Sequence, residues 1–522
     1  MPLSRSSGIL LHPTSLPGPY GIGELGSHAH RWVDWLAAAG QTLWQVMPLG
    51  PTGYGDSPYQ CFSAFAGNPY LISLERLEQE GLLSADDLAE GGDLPDARVD
   101  YGPVIAFKVE MLTRAERRFH ASADAEQRGE LARFRARHAD WLDDYALFMA
   151  LKDHHGGRAW TDWDPALRDR DPDALAAARD RHAEVIRRHA TWQWWFDRHW
   201  RDVRARANAA GIRIVGDLPI FIAYDSADAW AQRESFFFDE AGAPTVVAGV
   251  PPDYFSATGQ RWGNPLYRWK RMKDDGFAWW ISRFRSTLEF VDIVRVDHFR
   301  GFEAYWEIPA AEPTAVEGRW VRGPGQPFFD AVREALGELP IIAEDLGVIT
   351  PAVEQLRDAN GLPGMKVLQF AFAGSADDPY LPHNYEPHCV VYTGTHDNDT
   401  TRGWFETAPQ EERDLVRRYL ARGDHAIAFE LVRLASASVA AVAIFPLQDA
   451  LGLGSEGRMN TPGRAEGNWS WRFGWDDLPE WLAPQLREMA QLYGRFAGDG
   501  ARDTPYRQSV TDRGVEEDGD AD

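Results

Sequence analysis

Eight short apolar runs constrain this chain more than any other feature, because none of them alternates with polar residues. They are GILLH (8–12), TLWQVMPL (42–49), IRIVGD (212–217), VDIVRVD (291–297), LPIIAED (339–345), MKVLQFAF (365–372), CVVYTGT (389–395) and AVAIFPL (441–447). A strand with one wet face reads apolar–polar–apolar, whereas an unbroken apolar run is a strand covered on both faces. Helical patterns such as SHAHRWVDWLAAAG (27–40) and PAVEQLRDANG (351–361) lie between most of them. Strand alternating with helix predicts a parallel sheet with crossover helices, and eight such units predict an α/β protein of the closed (β/α)8 TIM-barrel type.

The spacing of the runs is uneven. More than 160 residues separate Leu49 from Ile212, and they contain long helical patterns at 104–121 and 174–211. A large, mainly helical insertion is expected over about 50–211, packed against the barrel rather than folding alone. A second, loop-like insertion is expected over about 221–290. After residue 447 no series of strands follows, so no C-terminal β-sandwich is expected. The catalytic domain is read as one unit, 1–509. The tail VTDRGVEEDGDAD (510–522) is acidic, lacks aromatic residues and reads as disordered.

Composition excludes several functions. Asp and Glu number 79 against 54 Lys and Arg, a net charge of −25, which argues against duplex nucleic acid and anionic membranes as partners. Two cysteines make no disulfide framework, no long apolar span is present, and the N-terminus lacks a signal-peptide core. The chain reads as soluble and cytoplasmic. GIGELG (21–26) matches the dinucleotide fingerprint, but nine residues separate it from its strand and no acidic residue ends the next one. It reads as a Gly-rich helix entry. The histidines form no metal-ligand pattern and HDNDT (396–400) lacks the Gly and Glu of a calcium loop, so neither metal nor cofactor is expected. Twenty-two tryptophans suit the flat faces of sugars, although Trp192, Trp194 and Trp195 fall in a helical run and read as core.

In such a barrel chemistry gathers at the C-terminal strand ends. Those ends carry Asp217, Asp297, Glu344 with Asp345, and His396 with Asp397. Asp345 and Asp399 read as helix N-caps. Carboxylates at four strand ends suit a glycosidic bond, which needs one ionised and one protonated carboxyl. Asp297 is the candidate nucleophile. Arg295, two residues earlier, points to the same side of the strand and favours the ionised carboxylate, or equally serves as a structural ion-pair partner. Glu344 follows an apolar run, where desolvation raises a carboxyl pKa toward that of a general acid.

The motifs GYGDSPYQ (53–60), GDLPIF (216–221), GVPPDYFSATGQRWGNPLY (249–267), VRVDHFR (294–300), AEDLG (343–347), TGTHDND (393–399), and RMNTPG with GNW (458–469) resemble those of the amylomaltases. These are 4-α-glucanotransferases of the α-amylase clan, and the resemblance runs from about Ser6 to about Phe496. It implies transfer of an α-1,4-glucan segment to the 4-hydroxyl of another glucan or glucose, by retaining double displacement and without a cofactor. α-1,4-Glucans and maltooligosaccharides would be the partners, with no obligate protein partner. The resemblance makes Asp297 the nucleophile, Glu344 the acid/base and Asp397 the stabiliser of the distorted sugar. It places Tyr59, Asp217, Arg295, His298 and His396 around that sugar, with Ser57 also on the substrate. Trp262, Tyr254 and Phe255 belong to the covering loop, and Asn468 to the acceptor side. Tyr54 and Tyr101 fall at a second glucan site.

Overall fold

A computed structural model describes residues 4–252, 256–464 and 466–496. The eight apolar runs become eight strands of one parallel sheet: β1 (Ser6–Leu10), β2 (Leu43–Gln45), β3 (Arg213–Pro219), β6 (Ile293–Asp297), β9 (Ile341–Ala343), β10 (Gly364–Val367), β11 (Cys389–Tyr392) and β12 (Val442–Pro446). Their order, β10-β11-β12-β1-β2-β3-β6-β9, is the order of the chain apart from the starting point. This is a barrel. Its interior packs one residue or more from every strand, among them Leu10, Leu43, Val215, Ile293, Ile342, Met365, Val390 and Val442. Such layered filling makes the barrel a core rather than a pore. Gly8 marks a close approach of β1 to β2, since a Cβ there would lie 2.4 Å from the Cβ of Leu43.

Between β9 and β10 a side chain helps to close the ring. Ala343 N–H donates to the Pro363 carbonyl at 3.0 Å. Asp345 Oδ1 accepts from Met365 N at 2.7 Å, and its Oδ2 accepts from Arg357 Nη1 at 2.5 Å. Asp345 is therefore a seam residue and not the helix cap expected from sequence; Thr350 occupies the N-cap of helix Pro351–Ala359. Asp399 is not a cap either. Thr400 caps helix Thr401–Thr407 through Gly403 N, and Asp399 accepts from Ser455 Oγ at 2.7 Å.

The first insertion is helical, with long helices at Tyr101–Ser122, Leu142–His154 and Ala183–Ala209. Trp192, Trp194 and Trp195 are buried in the last of these, as core residues. Lys108, fully buried, contacts Glu24 of the GIGELG segment and donates to the Ile72 carbonyl at 2.6 Å. Glu24 also accepts from Leu74 N at 3.1 Å. The Gly-rich segment thus anchors the insertion to the barrel, and helix Ser27–Ala38 follows it directly.

The second insertion departs from the sequence reading. It carries β4 (Val246–Val250) and β5 (Gln260–Pro265), which join β7 (Ala304–Pro309) and β8 (Arg319–Arg322) from beyond β6 in an antiparallel sheet of order β5-β4-β7-β8. These strands are short, and β8 (RWVR) is largely exposed, so no apolar run marks them. Their own small cluster of Val247, Ile308 and Ala315 supports the sheet. Tyr254, Phe255 and the tail 510–522 lie outside the described residues. Among the described residues no helix is long and apolar enough to cross a membrane.

Candidate active site

The site is built around one guanidinium at the C-terminal end of the barrel. Arg295 is 4% exposed and its Nη1 donates to both Asp217 oxygens, at 2.8 and 2.7 Å, and to Asp297 Oδ1 at 2.9 Å. Strand pleating puts residues 295 and 297 on one side of β6, and β3 lies alongside with Asp217 in register with Arg295. The sequence left Arg295 open between a structural ion pair and a partner of Asp297; it is bonded to both carboxylates. Burial works against its charge, but Asp217 and Asp297 more than offset this and raise its pKa well above the ordinary arginine value. Burial raises Asp217, while Arg295 pulls it down. Tyr59 also donates to Asp217 Oδ2, at 2.8 Å.

Glu344 stands just beyond β9. Its backbone N–H donates to the Val296 carbonyl and its own carbonyl accepts from Phe299 N, both at 3.0 Å. The side chain is equally held: Oε2 accepts from His298 N at 2.6 Å and Oε1 from Leu346 N at 2.9 Å. His298 adopts the left-handed region, φ 50° and ψ 48°, unusual for a residue with a side chain. The consequence is that two successive N–H groups, 298 and 299, both meet Glu344. Such strain, costing about 1–3 kcal/mol, persists where the surroundings enforce it, often at functional sites. Desolvation, reinforced by Asp297 and opposed by Arg295, pushes the Glu344 carboxyl up to about 8.

Two aromatic walls flank the carboxyls. On one side Tyr59 stacks on His396, with centroids 5.0 Å apart and planes at 17°, and Trp469 meets both rings at 5.8 Å. On the other, Trp262 of β5 stands edge-on to His298 at 4.8 Å. Burial, opposed by Asp297, brings the His298 imidazole down to about 4. Asp397 is half exposed; His396 Nε2 lies 3.4 Å from its Oδ1, which also accepts from Asn460 Nδ2 at 2.6 Å. Ser57 accepts from Tyr59 N at 3.2 Å and so braces that residue's turn.

Asn468 is engaged within its own loop, accepting from Thr461 N and donating to the Arg464 carbonyl, each at 2.9 Å. Tyr101 donates to the Trp469 carbonyl at 2.9 Å, so it backs the aromatic wall. Tyr54 is 78% exposed and makes no comparable contact with the carboxylate ring among the described residues. Sequence reasoning missed Trp469 and Asn460. Both lie inside the quoted GNW and RMNTPG motifs, but one tryptophan among 22 carries no mark of its own. In the structure Trp469 stands out by a left-handed backbone, φ 60°.

A parallel eight-stranded barrel with a shared Arg among carboxyls and aromatic walls beside them suits an enzyme that acts on glycosidic bonds. The 4-alpha-glucanotransferase family model matches residues 11–476. A 4-alpha-glucanotransferase of Thermus thermophilus is 56% identical over 95% of this chain and 100% of its own length. The chloroplastic/amyloplastic 4-alpha-glucanotransferase of Solanum tuberosum is 47% identical over 94% and 87%. The amylomaltase from Streptococcus agalactiae in complex with acarbose superposes with a TM-score of 0.92 at 39% identity, covering 94% of this chain and all of that one. The chain belongs to the 4-alpha-glucanotransferase family. It is a transferase of glycoside-hydrolase type, acting with retention of configuration.

Proposed function

We propose that Asp297 and Glu344 carry out the family's transfer of α-1,4-glucan segments, as nucleophile and acid/base respectively. The supporting observation is the contrast between the two carboxyls: Asp297 accepts from Arg295, whereas burial holds Glu344 up at about 8. Glu344 gives its proton to the glycosidic oxygen while Asp297 attacks the anomeric carbon. The bond to the leaving glucan breaks and a glucosyl ester forms. Glu344, now ionised, takes the proton of an acceptor 4-hydroxyl as that oxygen displaces Asp297, restoring both groups with net retention. Asp397, beside His396, holds sugar hydroxyls, and Tyr59 stacks beneath the ring. Asp217, Arg295, His298 and Ser57 shape the same pocket.

Transfer wins over hydrolysis where water is kept from the ester. Segments 249–267, carrying Tyr254, Phe255 and Trp262, and 452–468, carrying Asn468, are the proposed covers. Tyr54, together with Tyr101, is the proposed second glucan contact. The experiment is incubation with maltotriose, with products resolved by length. Longer maltooligosaccharides and free glucose, with reducing ends constant, are expected. Rising reducing ends and only shorter products mean a hydrolase and would remove the proposed covers from the account.

The acid role also sets a pH dependence. Protonated Glu344 is the active form for bond cleavage, so kcat/KM is expected to hold below neutrality and to fall as pH rises through about 8. An initial-rate profile on maltotriose between pH 4 and pH 10 checks this. Decline already near pH 5 would show a carboxyl that burial does not raise.

A further inference from the structure

Glu344 is held by backbone donors from two different loops, and Arg300 joins those loops. One loop follows β6 and supplies His298 N to Oε2; the other follows β9 and supplies Leu346 N to Oε1. Arg300, two residues after His298, donates from Nη1 to the carbonyl of Val348, two residues after Leu346. Its Nε lies 3.4 Å from the Ala304 carbonyl, at the start of β7. Arg300 is 5% exposed, and its guanidinium lies under Trp320 of β8, with Cζ 3.7 Å from the ring centroid. A buried arginine that spends its donors on backbone carbonyls, roofed by an aromatic ring, fixes chain rather than binding a ligand.

We infer that Arg300 is a positioning residue for Glu344, clamping together the two loops whose N–H groups orient its carboxyl. This rests on Glu344 being the acid/base. Neither segment around Glu344 is more than a short turn: Leu346–Val348 runs through Gly347 at φ 85°, and the single 3-10 turn Phe299–Phe302, which carries Arg300, starts from the strained His298. Both turns therefore need outside support to keep their N–H groups aimed at the same carboxyl. Arg300 supplies it across the loops, and the small antiparallel sheet earns its place beside the barrel by holding Trp320 over that contact. Misplacing a general acid by about 1 Å costs roughly 100-fold in rate.

The test compares Arg300→Met and Arg300→Lys with the unaltered enzyme and with Glu344→Gln, on two donors. Maltotriose needs its leaving oxygen protonated; α-maltotriosyl fluoride needs little such help, and its first turnover is read as fluoride release. For Arg300→Met, kcat on maltotriose is expected to fall about 10- to 100-fold with KM within about twofold, while first-turnover fluoride release falls by less than about threefold. Arg300→Lys, which keeps the charge and N–H donors but not the planar fork, is expected to recover part of the loss. If both variants slow the two donors equally, or leave kcat per folded molecule unchanged and lower only the melting temperature, Arg300 is merely structural and the inference is overturned. If Glu344→Gln keeps full activity on maltotriose, the acid/base reading itself fails, an outcome separate from the behaviour of Arg300.

Discussion

Replacing Asp297 by Asn is expected to lower maltotriose disproportionation by about 10,000-fold or more, some 5.5 kcal/mol of transition-state stabilisation. The amide is nearly isosteric, and the melting temperature should stay within a few degrees. It cannot form the ester, and it presents a weaker acceptor to Arg295, which retains its contacts with Asp217. The loss should therefore fall on kcat rather than on KM. Product analysis by length, with folding checked by circular dichroism, measures both. Activity within about tenfold of the unaltered enzyme would place the nucleophile elsewhere, since no other group can replace a covalent step at so little cost.

The second large effect concerns folding. Lys108→Met should destabilise the protein by about 3–5 kcal/mol, because it strands Glu24 without its cation in a buried setting. Burial already lowers the Lys108 pKa and raises that of Glu24, so the pair persists through mutual attraction and the bonds to Ile72 and Leu74. The double variant Lys108→Met with Glu24→Leu should recover most of the loss, as apolar replacement of a buried pair often does. Thermal unfolding at neutral pH, followed by calorimetry, gives the order of the three proteins. A single variant as stable as the parent would show that Glu24 finds another partner or water.

The barrel was legible because its strands are covered on both faces, which leaves mainly apolar, non-alternating runs at all eight positions. The antiparallel sheet was not. Strand β8 is four residues long with three of them exposed, and β4 and β5 sit in a segment rich in Gly and Pro; only packing against neighbours makes them strands. At the site, side chains on strand ends could be placed from pleat and spacing, which is why Arg295 and Asp297 could be put on one side of the strand in advance, although the role of Arg295 stayed open. Trp469, Asn460 and Arg300 could not be placed in that way. Their positions depend on loops meeting from distant parts of the chain, as when Asn460 reaches Asp397. The caps failed for a similar reason: an Asp before a helix is also free to bond across a seam, as Asp345 does.

The sharing of Arg295 has a further consequence for the timing of charge. One cation, Arg295, is shared by the two carboxylates Asp217 and Asp297, beside a Glu344 carboxyl that burial pushes up to about 8, so this ring is under-neutralised before any sugar arrives. In the proposed mechanism, each proton that Glu344 releases deepens that deficit at the moment when the anomeric carbon turns cationic. On that mechanism the missing positive charge is carried by the substrate itself, and only for the lifetime of the transition state.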